Sequence, residues 1–164
     1  MIEGGAMAND KKYVIFDLDG TLADITKRRN KATKPNGKID WNIFFDPSLI
    51  YLDNPNYPVI DTAKSLNKSG YTIIIFSGRS IRTKKATVKW LEQYEIPYYM
   101  LKMRPTSVDF MPDDKLKNSW LDNLFPIGSE IRDRLHMTFD DRDKVVNMWR
   151  TNGIPCFQVA PGDF

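Results

Sequence analysis

The sequence predicts an α/β fold, a three-layer sandwich in which a central parallel sheet is covered by helices on both faces and carries a small inserted cap. Three observations predict it. Short apolar runs recur along the 164 residues, they are continuous rather than alternating, and patterns of helical period fall between most of them. Polar groups suited to chemistry follow directly on three of these runs, which is where open parallel sheets place their sites.

In order, strands are expected at Tyr13 to Phe16, Tyr71 to Phe76, near Tyr98 to Leu101, at Met137 to Phe139 and at Cys156 to Val159. Helices are expected at Val59 to Lys68 before Gly70, Ile81 to Tyr94 before Pro97, Lys115 to Leu124, and Lys144 to Arg150 before Gly153. The stretch from Ile25 to Pro58 is too long for an ordinary strand-to-helix connection and reads as the inserted cap, at about 25–58. Residues 1–10 read as a leader or a disordered terminus, and 11–164 as one domain.

Composition narrows the class. A hydrophobic fraction of 41% with 27% charged residues excludes a disordered or fibrous chain. No apolar run could cross a bilayer as a helix, so no membrane association is expected and the reading is cytoplasmic. One cysteine, Cys156, and one histidine, His136, cannot build an ordinary structural zinc site or an internal disulfide. Cys156 reads as a small buried hydrophobe and His136 as the lead-in to a strand.

The first strand stops at Asp17-Leu18-Asp19-Gly20-Thr21. Two carboxylates this close repel, so the pair persists where a cation neutralises it or where chemistry uses it. Ser77 and Gly78 after the second strand offer a hydroxyl and an unencumbered amide for phosphate oxygens. Lys117 adds a compact positive charge, and Asp140-Asp141 can complete an oxygen-only magnesium site. These parts suit phosphoryl transfer. Asp24 and Asp143 read as solvated loop or helix-start charges.

These motifs carry a resemblance. Asp17-Leu18-Asp19-Gly20-Thr21, Phe76-Ser77-Gly78-Arg79, Lys117 and Phe139-Asp140-Asp141 resemble the four ordered motifs of haloacid-dehalogenase (HAD) superfamily phosphatases. The stretch Asp140 to Phe164 is similar to the end of the phosphatase domain in the bacteriophage polynucleotide kinase-phosphatase family. Arg28 stands at that family's distance from Asp17, and Asp113 stands four residues before Lys117. The resemblance implies a HAD-like Rossmannoid fold and a Mg2+-dependent phosphatase. Its substrates would be 3′-phosphates, and 2′,3′-cyclic phosphates, on polynucleotide ends or nucleotides, as in nucleic acid repair.

By the same likeness, Asp17 would form an aspartyl-phosphate while Asp19 acts as acid and then base. Asp17, Asp19 through its main-chain oxygen, and the Asp140/Asp141 pair would hold Mg2+. Thr21, Ser77, Gly78 and Lys117 would bind the transferring oxygens, with Asp113 orienting Lys117. Arg28, Arg79 and Arg104 would grip the substrate. Within these residues there is no G-x-x-x-x-G-K-[ST] phosphate loop, so no ATP and no kinase activity are expected, and a separate kinase or ligase would act alongside. A homo-oligomer is compatible with the sequence. Alternatives of other kinds are a small-molecule 5′-(deoxy)nucleotidase of the same fold, a receiver-like phospho-acceptor, and an idle end-binding module.

Two further features bear on substrate. The basic run Lys27 to Lys34 follows the first motif, and Arg82, Lys84 and Lys85 sit in the first turns of an expected helix. There the macrodipole disfavours cations by about 0.3–1 kcal/mol each, a placement that phosphates nearby would justify. Trp41, Phe44, Phe45, Tyr51 and Tyr57 are expected to form mainly a small core within the cap.

Overall fold

Tyr13-Val14-Ile15-Phe16 has no residue that gains from facing water, so the strand demands a position covered on both faces. In the computed structural model, which describes residues 10–164, it takes the centre of the sheet. Apart from Asp10, the expected leader lies outside the described residues. The elements run β1 (Lys12–Phe16), β2 (Ala23–Asp24), α1 (Thr26–Ala32), α2 (Trp41–Phe44), β3 (Asn54–Pro55), α3 (Tyr57–Lys68), β4 (Tyr71–Ser80), α4 (Lys84–Gln93), β5 (Met100–Arg104), α5 (Asp113–Leu124), α6 (Glu130–Asp133), β6 (Leu135–Asp140), α7 (Asp143–Thr151) and β7 (Cys156–Gln158). Short 3-10 turns occupy Pro47–Leu52, Ile81–Thr83 and Thr106–Val108.

The main sheet is parallel throughout, in the order β5-β4-β1-β6-β7. Alternate residues of each strand supply opposite layers. Val14, Phe16, Ile73 and Ile75 pack with Ile60 and Ala63 of α3 and with Trp90 and Leu91 of α4. Ile15, Ile74 and Phe76 pack with Leu116, Trp120 and Leu121 of α5 and with Val145, Val146 and Trp149 of α7. The predicted fold class is the observed one.

The cap has more structure than an irregular loop. β2 and β3 form a two-stranded antiparallel ribbon, pairing Ala23 with Pro55 and Asp24 with Asn54, and so pinch the insertion at its base. Asn56 clamps the pinch, donating its amide N–H to Leu22 O at 2.9 Å and its side chain to Thr21 O at 2.8 Å. Asp40 caps α2 by accepting from Asn42 N, and Asp46 caps the following turn by accepting from Ser48 N. The aromatic core expected there is partial: Phe44 is buried and half-buried Phe45 packs on it with ring centroids 5.1 Å apart. Trp41, Tyr51 and Tyr57 are exposed.

Three other boundaries move. The second strand runs to Ser80 rather than ending at Phe76, so Ser77 and Gly78 lie within it and not after it. The third long strand runs to Arg104 rather than Leu101, because pairing with β4 continues through Lys102 and the Arg104 guanidinium finds acceptors inside. The helix expected from Ile81 opens as a 3-10 turn capped by Ser80.

Candidate active site

β1 delivers Asp17 at its carboxyl end, where the Asp17 amide donates to Phe139 O of the neighbouring strand at 2.9 Å. The chain then turns sharply, Leu18 O accepting from Thr21 N at 3.2 Å and from Ala23 N at 2.9 Å. Gly20 has φ +83°, and a Cβ there would overlap the Asp141 carboxylate, so glycine is required on both counts. Thr21 Oγ1 donates to Asp17 Oδ2 at 3.1 Å. From α5, Lys117 Nζ donates to Asp17 Oδ1 at 2.7 Å and to Asp140 Oδ2 at 2.8 Å. Asp140 ends β6, and its Oδ1 accepts from the amides of Asp141 and Arg142 at 3.0 and 3.2 Å.

Asp17, Asp140 and Asp141 are all buried and can bring one oxygen each within 4.8 Å of the others. Burial pushes the Asp17 carboxyl well above its ordinary value; Lys117 draws it down, while Asp140 and Asp141 push it up again. Burial, with Asp140 beside it, pushes Asp141 up to about 6. Burial opposes the charge on Lys117, yet Asp140 and Asp17 outweigh it and hold the ammonium on. Three carboxylates against one ammonium leave two negative charges in excess. An all-oxygen set with that deficit fits a hard divalent cation.

Asp19 faces a second network. Its Oδ1 accepts from Arg79 Nε at 2.7 Å and from Arg28 Nη2 at 3.1 Å. Burial works against its charge, but Arg79 and Arg28 prevail and set the carboxyl below its ordinary value. Behind Asp19, Asp53 accepts from Arg28 Nε at 2.8 Å and from Arg79 Nη2 at 2.6 Å. Arg28 Nη1 donates to Phe44 O and Arg79 Nη1 to Thr87 Oγ1. Arg28 and Arg79 are therefore buried struts for Asp19, where gripping of substrate had been expected. The carboxylate that makes this work, Asp53, is absent from the sequence reading. Its signal was available, since two arginines that are to be buried need acids, and Asp53 is a lone acid at the cap's end.

Arg104 is also committed to the protein. Its guanidinium donates to Gly78 O at 3.0 Å, Val108 O at 3.0 Å and Met111 O at 2.6 Å, and it contacts Asp113. Asp113 also accepts from Arg142 Nη1 at 2.6 Å. It thus positions two arginines, whereas it had been expected to orient Lys117, which it reaches only through space. Ser77 is buried, its Oγ accepting from Arg79 N at 3.2 Å. Exposed Asp24 accepts from Thr26 N at the start of α1, and Cys156 is buried as expected.

A cavity of about 740 Å3 opens over these groups. Asp17, Asp19, Gly20, Gly78, Lys117, Asp140 and Asp141 line it, with Arg104, Asp113 and Arg142 at one wall. Thr21, Ser77, Arg28 and Arg79 stand behind that lining. Its mouth joins the cap to the loop before α5.

Residues 11–164 match the family described as the polynucleotide kinase PNKP phosphatase domain. The chain belongs to this PNKP phosphatase-domain family. It is a HAD-type phosphohydrolase. Over 150 residues it is 32% identical to a protein of Autographa californica nuclear polyhedrosis virus named as a bifunctional polynucleotide kinase/RNA ligase, covering 88% of this chain and 18% of that one. A chain of the Pnkp1/Rnl/Hen1 RNA repair complex superposes with a TM-score of 0.75 at 33% identity, covering 94% of this chain and 43% of the other. This PNKP phosphatase domain thus spans less than half the length of these relatives. A phosphatase structure from Clostridium acetobutylicum, TM-score 0.68 at 15% identity over 90% of this chain and 83% of that one, shares the fold. Among the described residues no helix is long and apolar enough to cross a membrane.

Proposed function

We propose that this domain is a Mg2+-dependent phosphatase that removes 3′-phosphates, and 2′,3′-cyclic phosphates, from polynucleotide ends by way of an aspartyl-phosphate on Asp17. The observation that carries the reading is Asp17 itself, a carboxylate at the cavity floor between Lys117 and Thr21 with a second carboxylate, Asp19, at the same mouth. Asp17 attacks phosphorus in line, the bond from its oxygen forming as the bond to the leaving 3′-oxygen breaks. Asp19 gives that oxygen its proton. Water then attacks the acyl-phosphate and Asp19 takes the proton back, regenerating Asp17 and releasing phosphate; a 2′,3′-cyclic phosphate needs two such cycles, the first opening the ring to a phosphomonoester.

Asp19 must alternate between carrying a proton and losing it. Arg28 and Arg79 hold it ionised at rest, ready as the base. An arriving phosphate adds negative charge nearby and raises its proton affinity, so that Asp19 takes up from solvent the proton it then delivers to the leaving oxygen. Lys117 is oriented to follow the charge transferred from Asp17 to the phosphoryl oxygens. Mg2+, held by Asp17, the Asp140/Asp141 pair and the Asp19 main-chain oxygen, would offset the repulsion between an anionic nucleophile and a phosphate dianion.

Polynucleotide ends are favoured as substrate by the family match and by relatives named for polynucleotide and RNA repair activities. A separate kinase or ligase working on the same ends fits those names. The test is phosphate release from 3′-phosphate, 2′,3′-cyclic phosphate and 5′-phosphate substrates, oligonucleotide and mononucleotide alike. Release from 3′-phosphorylated ends is expected, and Asp17→Asn should reduce it by about 10³-fold or more with an unchanged melting temperature. Brisk hydrolysis of 5′-mononucleotides with inert 3′ ends would replace this reading by the nucleotidase.

A further inference from the structure

The cavity mouth holds groups that the chemistry at Asp17 leaves unused. Phe110, in the loop between the Thr106–Val108 turn and α5, is 101% exposed, and Trp41, the first residue of α2, is 60% exposed. Both line the same cavity as Asp17. The Trp41 indole is fixed, stacked on Phe45 with centroids 5.8 Å apart and met edge-on by Phe44 at 5.5 Å. A rigid aromatic offered to solvent costs little further order when a flat ligand settles on it.

Cations flank the pair. Arg82 reaches over to Asp109, the residue before Phe110, at 2.9 Å and keeps a side chain 59% exposed. Arg29, on α1 of the cap, lines the cavity with its guanidinium 5.1 Å from the Phe164 ring centroid. Arg28, Arg79 and Arg104 are buried on internal acceptors, whereas Arg29 is exposed and the half-exposed Arg82 can exchange Asp109 for a phosphate of a ligand lying along the mouth. Two exposed aromatic side chains on a cavity that Arg29 and Arg82 also line suit flat bases joined by phosphodiesters better than the continuous apolar surface of a protein partner.

We propose that Trp41 and Phe110 form a stacking subsite for the bases of an unpaired nucleic-acid end, with Arg29 and Arg82 meeting the internucleotide phosphates next to it. The inference rests on the reading that the 3′-phosphate of that end lies at Asp17. Stacking engages the face every base shares, so the subsite tolerates sequence, and it excludes a terminal base still stacked in a duplex. The domain therefore selects single-stranded or frayed ends.

The experiment compares wild type with Trp41→Ala, Trp41→Phe and Phe110→Ala on three 3′-phosphorylated substrates. These are a single-stranded oligonucleotide, the same strand in a blunt duplex, and the single strand with its last two nucleotides made abasic. Each alanine variant should raise KM for the intact single strand about tenfold with kcat within about twofold, inside the range that base–aromatic stacking supports. Trp41→Phe should restore most of the loss. On the abasic strand all four proteins should share one raised KM, and wild type should prefer the single strand to the duplex. Oligonucleotide affinity is measured in parallel by anisotropy in the Asp17→Asn background, where no turnover is needed. If wild type releases no phosphate from any 3′ end yet the alanine variants bind about tenfold more weakly, the reaction assignment falls and the subsite stands. Unchanged KM and unchanged affinity in both alanine variants overturn the subsite and leave the aromatics to a protein partner.

Discussion

Asp53 has no exposed side-chain atom and two guanidiniums on its carboxylate, so it neutralises inside what Asp19 neutralises at the cavity. Asp53→Ala leaves Arg28 and Arg79 sharing one acid, and breaking a buried pair in this way costs about 3–5 kcal/mol. Denaturant unfolding should register that loss, and Asp53→Asn, which keeps an acceptor, should lose less; equal stability of wild type and Asp53→Ala would sink the strut assignment. Asp17 and Asp141, both raised by burial, carry the pH dependence of the acidic set, and the window is set by Asp141. Its folded value of about 6 against an ordinary 3.8 means that, without metal, the carboxylate form penalises the fold above about pH 6 and not below about pH 4. A divalent cation binds that carboxylate form and competes with a proton as pH falls. Saturating Mg2+ should therefore raise the melting temperature by about 5–10 °C at pH 8 and by less than half of that at pH 5. An equal rise at both pH values would remove the raised carboxylates, Asp17 and Asp141, from the metal set. The acids and Lys117 were legible in the sequence because strand ends and short motifs place them. Asp53 and the duties of Arg28, Arg79 and Asp113 were not, because each depends on a partner in another element.

The junction of β6 with α7 is held by the end of the chain. Val159 N donates to Asp140 O at 3.0 Å, Gln158 Nε2 to Asp141 O at 3.0 Å, and Asp143 N to Gly162 O at 2.8 Å. Gly162 packs so closely that a Cβ would overlap the Asp141 carbonyl and Arg142. Gly162→Ala must push the acidic pair aside, and outer-shell disturbance of this kind costs about 10–100-fold in metal affinity or activity. A Mg2+ titration of phosphate release should show it, while Gly37→Ala, with open space around its Cβ position, should leave the titration unchanged. A wild-type Mg2+ response in Gly162→Ala would free the carboxyl-terminal segment of this role. Among the elements, β1, β4, β6 and the four long helices follow from apolar continuity and period. β2, β3, α1 and α2 escape such reading, because two-residue strands and helices of a turn or two exist only through caps such as Asp40 and pairings such as Ala23 with Pro55.

At the scale of the molecule, the two helical layers share the central strands β1 and β4. Trp90 lies in one layer and Trp120 and Trp149 in the other, and all three are buried. Because Ile15 and Phe16 are neighbours facing opposite layers, neither layer can loosen without exposing β1. Urea unfolding of the wild-type domain followed in parallel by tryptophan fluorescence and by far-ultraviolet circular dichroism should give coincident midpoints; separated midpoints would show that the layers unfold independently. The central place of β1 has a consequence during synthesis. It leaves the ribosome first, yet its partners are β4 and β6, and at about 5–20 residues per second β6 follows it on the order of ten seconds later. Until β4 follows, Val14, Ile15 and Phe16 are an unpaired apolar strand in a nascent chain, a natural client for a ribosome-bound chaperone; one edge of β1 stays open, and the nucleophile next to it has no site, until β6 arrives with Asp140.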